Sequence, residues 1–192
     1  MTRYFDASAL VKRYVRGTGS SMVRRLLASG TAASSRFCEV EVSSGIIRRA
    51  REGASTIQQR DRMLAALLRD VPALAVVEMT PEITADARTL LLRHPLRAGD
   101  AVQVASCLYL QRQHAQPVPF VAFDGRLVQA ARAEGLTVIT ARRVSNRNVT
   151  KAIRILKRAG RRNAPIPGDA LPSPTRRRKS RRQEEDPIRE TR

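Results

Sequence analysis

The fold of this chain is decided by the stretch Arg3-Tyr4-Phe5-Asp6-Ala7-Ser8-Ala9-Leu10. Its first half predicts a short buried strand over residues 3–6. Its second half predicts a helix over about 9–15, with Ser8 as the N-cap. Asp6 therefore stands where the strand leaves the sheet. Ligand sites in parallel α/β sheets form beyond the carboxyl ends of the strands, which makes Asp6 a candidate site residue.

Short strands alternate with helices along the rest of the sequence, which predicts an α/β fold with a central parallel sheet. The predicted strands are 3–6, 31–35, 74–77, 118–123 and 136–139. The predicted helices are 9–15, 20–29, 36–52, 56–69 (capped by Ser55), 81–93, 100–113 and 125–134. The strand at 31–35 has a weak pattern of its own. We place it there because two helices in tandem need a strand between them.

The composition indicates a polyanionic partner. The chain has 192 residues, with 36 Lys and Arg against 17 Asp and Glu, which gives a net charge of +19. Such a charge favours binding to a polyanion. Nucleic acid is the expected partner ahead of an anionic membrane surface. Aromatic residues make up only 4% and Trp is absent, so stacking on aromatic rings is not expected to dominate binding.

The positive charge is concentrated in the last quarter of the sequence. Residues 146–192 hold 15 basic and 5 acidic residues, a net of +10 out of the total of +19. We expect one domain over 1–145 and a basic extension over 146–192. Within the extension, 149–159 has the pattern of a basic amphipathic helix. The Pro-, Arg- and Glu-rich remainder lacks the apolar content for a packed core and is expected to be disordered.

Neither a membrane segment nor a disulfide framework is predicted. No apolar run approaches the roughly 20 residues that span a bilayer. Met1 and Thr2 lead almost directly into a strand, without the apolar core of a signal peptide. Cys38 and Cys107 show no zinc-ligand or disulfide spacing. A cytoplasmic protein with buried free thiols is the expectation.

Several acidic side chains stand at strand ends or near helix starts. Asp6 and Asp124 follow apolar strands, Asp100 opens a helix, and Glu39 and Glu41 begin another. Carboxylates gathered at one sheet edge repel each other unless a cation lies between them. Mg²⁺ and Mn²⁺ favour oxygen ligands, and such an ion activates water against a phosphodiester. Taken singly, each aspartate also fits a helix cap and each glutamate a solvated helix face.

Four blocks of the sequence carry a family resemblance. Residues 4–14, 41–49, 96–105 and 120–127 stand in the same order and spacing as the motifs of a known group of nucleases. They resemble PIN-domain ribonucleases, particularly the VapC-like toxins of bacterial toxin–antitoxin pairs. The likeness runs from residue 3 to about 140.

The resemblance implies a PIN-like fold, in which four or five parallel strands are flanked by helices. It also implies an acidic set around Mg²⁺ or Mn²⁺, which falls here on Asp6, Glu41, Asp100 and Asp124. By the same resemblance, Asp6 and Asp100 would bind the ion directly, and Asp124 directly or through water. Glu41 would act through water or by orienting the nucleophile.

The preference for Glu41 over Glu39 rests on spacing. Glu41 keeps the family distance to Gly45, and side chains two residues apart on a helix point about 200° apart. Gly45 itself stands where the family usually has Ala, at a cost of roughly 1 kcal/mol in helix propensity.

Three polar residues near Asp6 are candidates for contacts with substrate phosphates. Lys12 and Arg13 lie within two helical turns of Asp6, although a solvated helix face explains them equally well. Ser8 is a candidate for assisting a ligand or a phosphate, with helix capping as its main alternative role.

The sequence therefore predicts a Mg²⁺- or Mn²⁺-dependent endoribonuclease. The resemblance further implies the toxin of a toxin–antitoxin pair, with RNA as substrate, a cognate antitoxin as partner and a homodimer as assembly. Two alternatives stay open. One is a non-catalytic RNA-binding module that depends on the basic cluster 176–182 rather than on Asp6. The other is a metal-dependent nuclease that acts on DNA or in RNA maturation.

Overall fold

A computed structural model of the chain describes residues 1–141. The predicted boundary at residue 145 and the basic extension 146–192, with its helix at 149–159 and its disordered remainder, lie outside the described residues. Within residues 1–141, five strands alternate with single helices or pairs of helices.

The strands of residues 1–141 form one parallel sheet. They are β1 Thr2–Phe5, β2 Thr31–Ser35, β3 Ala75–Val77, β4 Phe120–Val121 and β5 Val138–Ile139. Their order across the sheet is β3-β2-β1-β4-β5, and every neighbouring pair is parallel. The predicted α/β fold with four or five parallel strands is confirmed, including the strand that had only a weak pattern.

The first strand lies at the centre of the sheet. Tyr4 of β1 is opposite Ala33 of β2 on one side and Phe120 of β4 on the other. The chain first extends the sheet in one direction through β2 and β3, then returns to add β4 and β5 on the opposite side. A reversal of strand order opens a crevice beyond the carboxyl ends of the two strands that flank it, here β1 and β4.

The helices cover both faces of the sheet. They are α1 Ala7–Tyr14, α2 Ser20–Ala28, α3 Cys38–Arg51, α4 Ile57–Asp70, α5 Pro81–Arg93, α6 Ala98–His114 and α7 Gly125–Ala133. A short 3₁₀ turn, Val71–Ala73, follows α4. None of the helices within residues 1–141 combines the length and the apolar character needed to cross a bilayer.

Successive strand residues point into two separate apolar cores, as the two-residue period of a strand requires. Tyr4 and Phe120 lie in the core shared with α5, α6 and α7, where their rings stack with centroids 5.6 Å apart. Phe5 and Val121 lie in the core shared with α1 to α4. Burial of side chains of this size contributes about 1.5–3 kcal/mol each. Other fully buried members of the two cores are Ile83, Leu90, Val104 and Leu127, and Val23, Val42, Ile46 and Leu67.

Two predicted helix caps are wrong. Asp6, not Ser8, caps α1: its Oδ2 accepts the Ser8 N–H at 2.9 Å, so the helix starts directly after the strand. Thr56, not Ser55, caps α4. Its Oγ1 accepts the Gln59 N–H at 3.2 Å, while its own N–H donates to Gln59 Oε1 at 3.0 Å. This reciprocal pair satisfies two backbone donors at once, which a cap one residue earlier cannot do.

Candidate active site

Asp6 lies at the reversal of strand order. Its backbone N–H donates to the Val121 carbonyl of β4 at 3.0 Å, so the residue is fixed between the two central strands. Its side chain caps α1, and only 4% of the residue is exposed. A strand, a neighbouring strand and a helix start therefore all determine where this carboxylate points.

Asp124 follows the neighbouring strand β4 and, like Asp6, caps the helix that comes next. It caps α7, where its Oδ1 accepts the N–H groups of Arg126 and Leu127 at 2.9 and 3.1 Å. Because β4 is paired in parallel with β1, the carboxyl ends of these two strands share one edge of the sheet. Asp6 and Asp124 are brought to that edge by strand pairing alone.

The other two acidic residues lie in the first turns of two helices. Asp100 in α6 accepts the Arg97 N–H with Oδ2 at 3.2 Å. Glu41 in α3 accepts a hydrogen bond from Gln103 Nε2 at 2.5 Å with its Oε2. Helix N-termini favour negative charge, which offsets part of the cost of placing these carboxylates near others.

All four carboxylates line one open cleft of about 480 Å³. Glu39, the residue that competed with Glu41 in the sequence, is not among the residues that line it. The two side chains leave α3 in directions about 200° apart, so only Glu41 faces the cleft. The structure thus brings the predicted acidic set of Asp6, Glu41, Asp100 and Asp124 to one place.

The cleft is electrostatically unfavourable for two of these anions. Burial raises the pKa of Asp6 from 3.8 to about 6, with a further contribution from the charge of Asp100, although hydrogen bonds from Ser8 lower it. Burial raises the pKa of Glu41 from 4.5 to about 7, assisted by the charges of Asp6 and Asp100 and opposed by the Gln103 amide. No basic side chain within residues 1–141 forms an ion pair with any of the four carboxylates.

A basic rim surrounds the acidic centre. The lining residues include Lys12, Arg16, Arg48, Arg49 and Arg97. The Lys12 ammonium lies 4.5 Å from the centroid of the Phe123 ring, a cation–π contact that places the charge beside the cleft. Burial and the positive charge of Arg49 lower the pKa of Lys12. Of this rim, only Lys12 is a candidate from the sequence, because Arg48 and Arg49 lie on a face of α3 and Arg16 and Arg97 lie beside helix ends, where no local pattern distinguishes them.

Arg13 is not on this cleft. Its Nε lies 2.6 Å from Asp70 Oδ2, which also accepts the Tyr14 hydroxyl at 3.1 Å. This group borders a larger and mostly apolar cavity of about 590 Å³ between α1, α2 and the end of α4. Consecutive residues of a helix point about 100° apart, so Lys12 lines the cleft with the carboxylates and Arg13 does not. The role of Arg13 in contacting a substrate phosphate stays a prediction.

Ser8 has a different local role from the one predicted. Its Oγ accepts the Phe123 N–H at 3.0 Å and so links the start of α1 to the segment after β4. The residue also lines the cleft. Its hydroxyl therefore holds together the two chain segments that carry Asp6 and Asp124, and it lies within reach of a bound substrate.

The strands and the acidic cleft fall within a segment that matches a known protein family. Residues 3–133 match the PIN domain family. The chain belongs to the PIN-domain family. The prediction made from the four sequence blocks is therefore confirmed.

Relatives of this PIN domain are 37% identical to it over 144 residues. They are "Ribonuclease VapC45" of Mycobacterium tuberculosis strain CDC 1551 / Oshkosh and "Ribonuclease VapC49" of strain ATCC 25618 / H37Rv, and each alignment covers 72% of this chain and 94% of the relative. Among solved structures, VapBC2 from Rickettsia felis, bound to a DNA fragment from its promoter, superposes with a TM-score of 0.51 at 14% identity. That superposition covers 73% of this chain and 98% of the other, and it supports the fold alone.

The carboxylate oxygens in this cleft are the kind of ligand that Mg²⁺ and Mn²⁺ prefer. The repulsion among these four carboxylates, of which Asp6 is buried and Glu41 half-buried, is relieved by a cation that takes oxygen ligands. As the side chains stand, no three acidic, histidine or cysteine groups within residues 1–141 have the spacing of a metal site. Each carboxylate is turned toward its own local partner, such as the Ser8 N–H for Asp6 and the Gln103 amide for Glu41.

Proposed function

We propose that this chain is a divalent-metal-dependent endoribonuclease. The observation that carries the proposal is one cleft that is lined by the four predicted carboxylates, by Glu52 and by five Lys and Arg side chains. An acidic centre within a basic rim suits a polyanion whose backbone is attacked beside a cation. The ribonuclease names of the 37% identical relatives support RNA as the substrate.

In this proposal Asp6, Asp100 and Asp124 would hold Mg²⁺ or Mn²⁺. When bound, such an ion would supply charge neutralisation at the phosphodiester and a lowered pKa of water. Glu41 is held by Gln103 through Oε2, which leaves Oε1 to accept a hydrogen bond from the attacking water. Lys12 lies beside these carboxylates and binds a phosphate next to the scissile one.

We extend the proposal to the role of toxin in a toxin–antitoxin pair. It is supported by the VapC names of the relatives together with the VapC-like blocks of the sequence. A cognate antitoxin then inhibits the chain, and a homodimer is the expected assembly. The mass of the chain in solution tests the homodimer. Co-expression with the product of a small neighbouring gene, where sequencing of the locus finds one, tests the antitoxin.

Substitution of Asp100 by Asn tests the catalytic proposal. The change keeps the size of the side chain and removes the negative charge, so we expect the cleavage rate to fall by roughly 100-fold or more. Cleavage is measured on single-stranded RNA, structured RNA and DNA, with Mn²⁺ and with EDTA. Asp61→Asn is the matched control, because Asp61 is exposed on α4 and pairs with Arg60 away from the cleft.

Each outcome of this assay is decisive. Cleavage that persists in EDTA or in Asp100→Asn overturns the metal-dependent mechanism. Binding of RNA without cleavage by the wild type identifies a non-catalytic module, and cleavage of DNA alone identifies the other class of nuclease. Cleavage of RNA without growth arrest on expression removes the toxin assignment and leaves the ribonuclease.

A further inference from the structure

Helix α6 contacts both oxygens of the Glu41 carboxylate. Gln103 Nε2 donates to Oε2 at 2.5 Å. The other oxygen, Oε1, lies so close to Gly99 that a Cβ at that position would overlap it. Gly99 and Gln103 are one helical turn apart on α6 and therefore present the same face to Glu41. We call this pair the Glu41 seat.

The amide of Gln103 has only one favourable orientation. Gln103 is fully buried, and its Oε1 accepts the hydroxyl of the equally buried Tyr4 at 2.7 Å. A flipped amide would direct its NH₂ group at the Tyr4 hydroxyl and its oxygen at a carboxylate. Because the Glu41 carboxylate can only accept, Nε2 faces Glu41, and the Tyr4 hydroxyl donates to the amide oxygen so that this buried oxygen also has a partner.

Gly99 is not required by the backbone. Gly19, Gly53 and Gly135 adopt positive φ, whereas Gly99 does not and lies within the first turn of α6. Alanine at such a position favours the helix over glycine. The absence of a side chain here is explained by what a Cβ would meet, namely Glu41 Oε1 and, at 3.2 Å, the Phe37 ring.

The seat opposes a specific tendency of Glu41 to leave the cleft. The negative charges of Asp6 and Asp100 repel its carboxylate, and the Glu41 residue is only partly buried. One hydrogen bond and one close packing contact from α6 keep it beside those aspartates. The same helix carries Asp100, so α6 sets the relative position of two of the acidic groups.

The geometry points to Gly99 and Gln103 as positioning residues that hold the Glu41 carboxylate for the metal-dependent reaction. This inference rests on the proposed function and adds two residues that act through Glu41. A purely structural role predicts instead that changes at these positions act only on stability. The two readings separate when activity, metal affinity and stability are measured on the same variants.

Gly99→Ala tests the seat, with Gly45→Ala as the matched control. Gly45 also lies in a helix, α3, where a Cβ would meet only Val11 Cγ2 at 3.5 Å, an ordinary contact. We expect Gly99→Ala to lower kcat and Mn²⁺ affinity by about 10- to 100-fold, the range of losses for outer groups of a metal site, because Glu41 would contact the ion through the water that it holds. Its melting temperature should be unchanged or higher. Gly45 also lines the cleft, so Gly45→Ala controls for a methyl group added there, and its losses of kcat and Mn²⁺ affinity should be much smaller than those of Gly99→Ala.

A double-mutant cycle with Glu41→Gln shows whether the effect passes through Glu41. If it does, adding Gly99→Ala to Glu41→Gln causes little further loss, whereas independent effects multiply. The pair Tyr4→Phe and Gln103→Leu, made together, removes both hydrogen bonds without leaving a buried hydroxyl unpaired. We expect this variant to fold and to show the same loss of kcat and Mn²⁺ affinity as Gly99→Ala.

Mn²⁺ affinity, measured by electron paramagnetic resonance, tests the Glu41 seat separately from the proposed ribonuclease activity. A wild type that binds Mn²⁺ but cleaves no RNA overturns the ribonuclease, and the seat is then decided by Mn²⁺ affinity alone. Wild-type Mn²⁺ affinity in Gly99→Ala overturns the seat, whatever the activity. Equal losses of kcat in Gly99→Ala with and without Glu41→Gln overturn it as well.

Discussion

Ionised Asp6 destabilises the folded chain when no metal ion is bound. Burial, with the negative charge of Asp100, raises the pKa of Asp6 from 3.8 to about 6. A tenfold change in proton affinity corresponds to about 1.4 kcal/mol, so an Asp6 carboxylate costs the folded state about 3 kcal/mol once it is fully charged. Asp6→Asn removes the charge and keeps an oxygen for the Ser8 N–H, and Asn caps helices about as well as Asp.

The sign of the pH dependence follows from the raised pKa. Near pH 4 the folded protein still holds the proton on Asp6, whereas the unfolded chain has lost roughly half of it. As the pH rises toward 6, the unfolded chain ionises first, so the free energy of unfolding of the wild type falls. Above about pH 6 the full penalty is present. We therefore expect Asp6→Asn to be more stable than the wild type by up to about 3 kcal/mol at pH 8, and by much less at pH 4.

Urea unfolding in EDTA at the two pH values measures this difference through linear extrapolation. Asp61→Asn is again the control and should show no pH-dependent gain. Mn²⁺ at 1,000 times its Kd should reverse the order of wild type and Asp6→Asn, because it adds about 4.1 kcal/mol to the state that binds it, which exceeds the penalty of about 3 kcal/mol. The reasoning is refuted if Asp6→Asn is no more stable than the wild type at pH 8 in EDTA, or if its gain is the same at both pH values.

Two further predictions concern the rim and its support. Lys12→Gln should weaken RNA binding and reduce the slope of log affinity against log salt by about 1, whereas Arg13→Gln, whose charge is paired outside the cleft, should leave that slope unchanged in the same titration. Gly19→Ala should lower the free energy of unfolding by about 1–3 kcal/mol, because Gly19 has a φ of 87° and a Cβ would overlap the Phe123 ring. Gly17→Ala, with nothing within 4 Å of its Cβ, should cost much less in the same urea titration. An unchanged salt slope in Lys12→Gln, or equal losses in the two glycine variants, would contradict these expectations.

The sheet and the acidic set could be predicted because both follow from local rules. Apolar stretches of strand length between helical stretches require a parallel sheet, and a carboxylate directly after such a strand must emerge at its carboxyl edge. Asp6 and Asp124 needed only that rule. Even the strand at 31–35, built of Thr, Ala and Ser, was placed by the need for a strand between two helices, and the structure has it as β2.

The basic rim and the Glu41 seat depend on how helices face each other, which local pattern does not determine. Arg13 and Arg49 look alike in sequence, yet one pairs with an aspartate of α4 and the other lines the cleft. For Gln103 a signal was present: a single amide stands within the apolar run from Ala101 to Cys107. A polar residue among buried neighbours must have a partner. The sequence could therefore predict that Gln103 is hydrogen-bonded, but not that its partners are Tyr4 and Glu41.

The central position of β1 has a consequence for the order in which the chain folds. β1 is synthesised first, but one of its two edges stays unpaired until β4 is made, because Tyr4 pairs with Phe120 in the finished sheet. Until then, only β1, β2 and β3 of the five strands can pair, and Asp124 has not joined Asp6. A growing chain therefore cannot carry the complete acidic cleft until most of the domain has left the ribosome. Pairing across so long a stretch of chain also slows folding, so the cleft is among the last features to form.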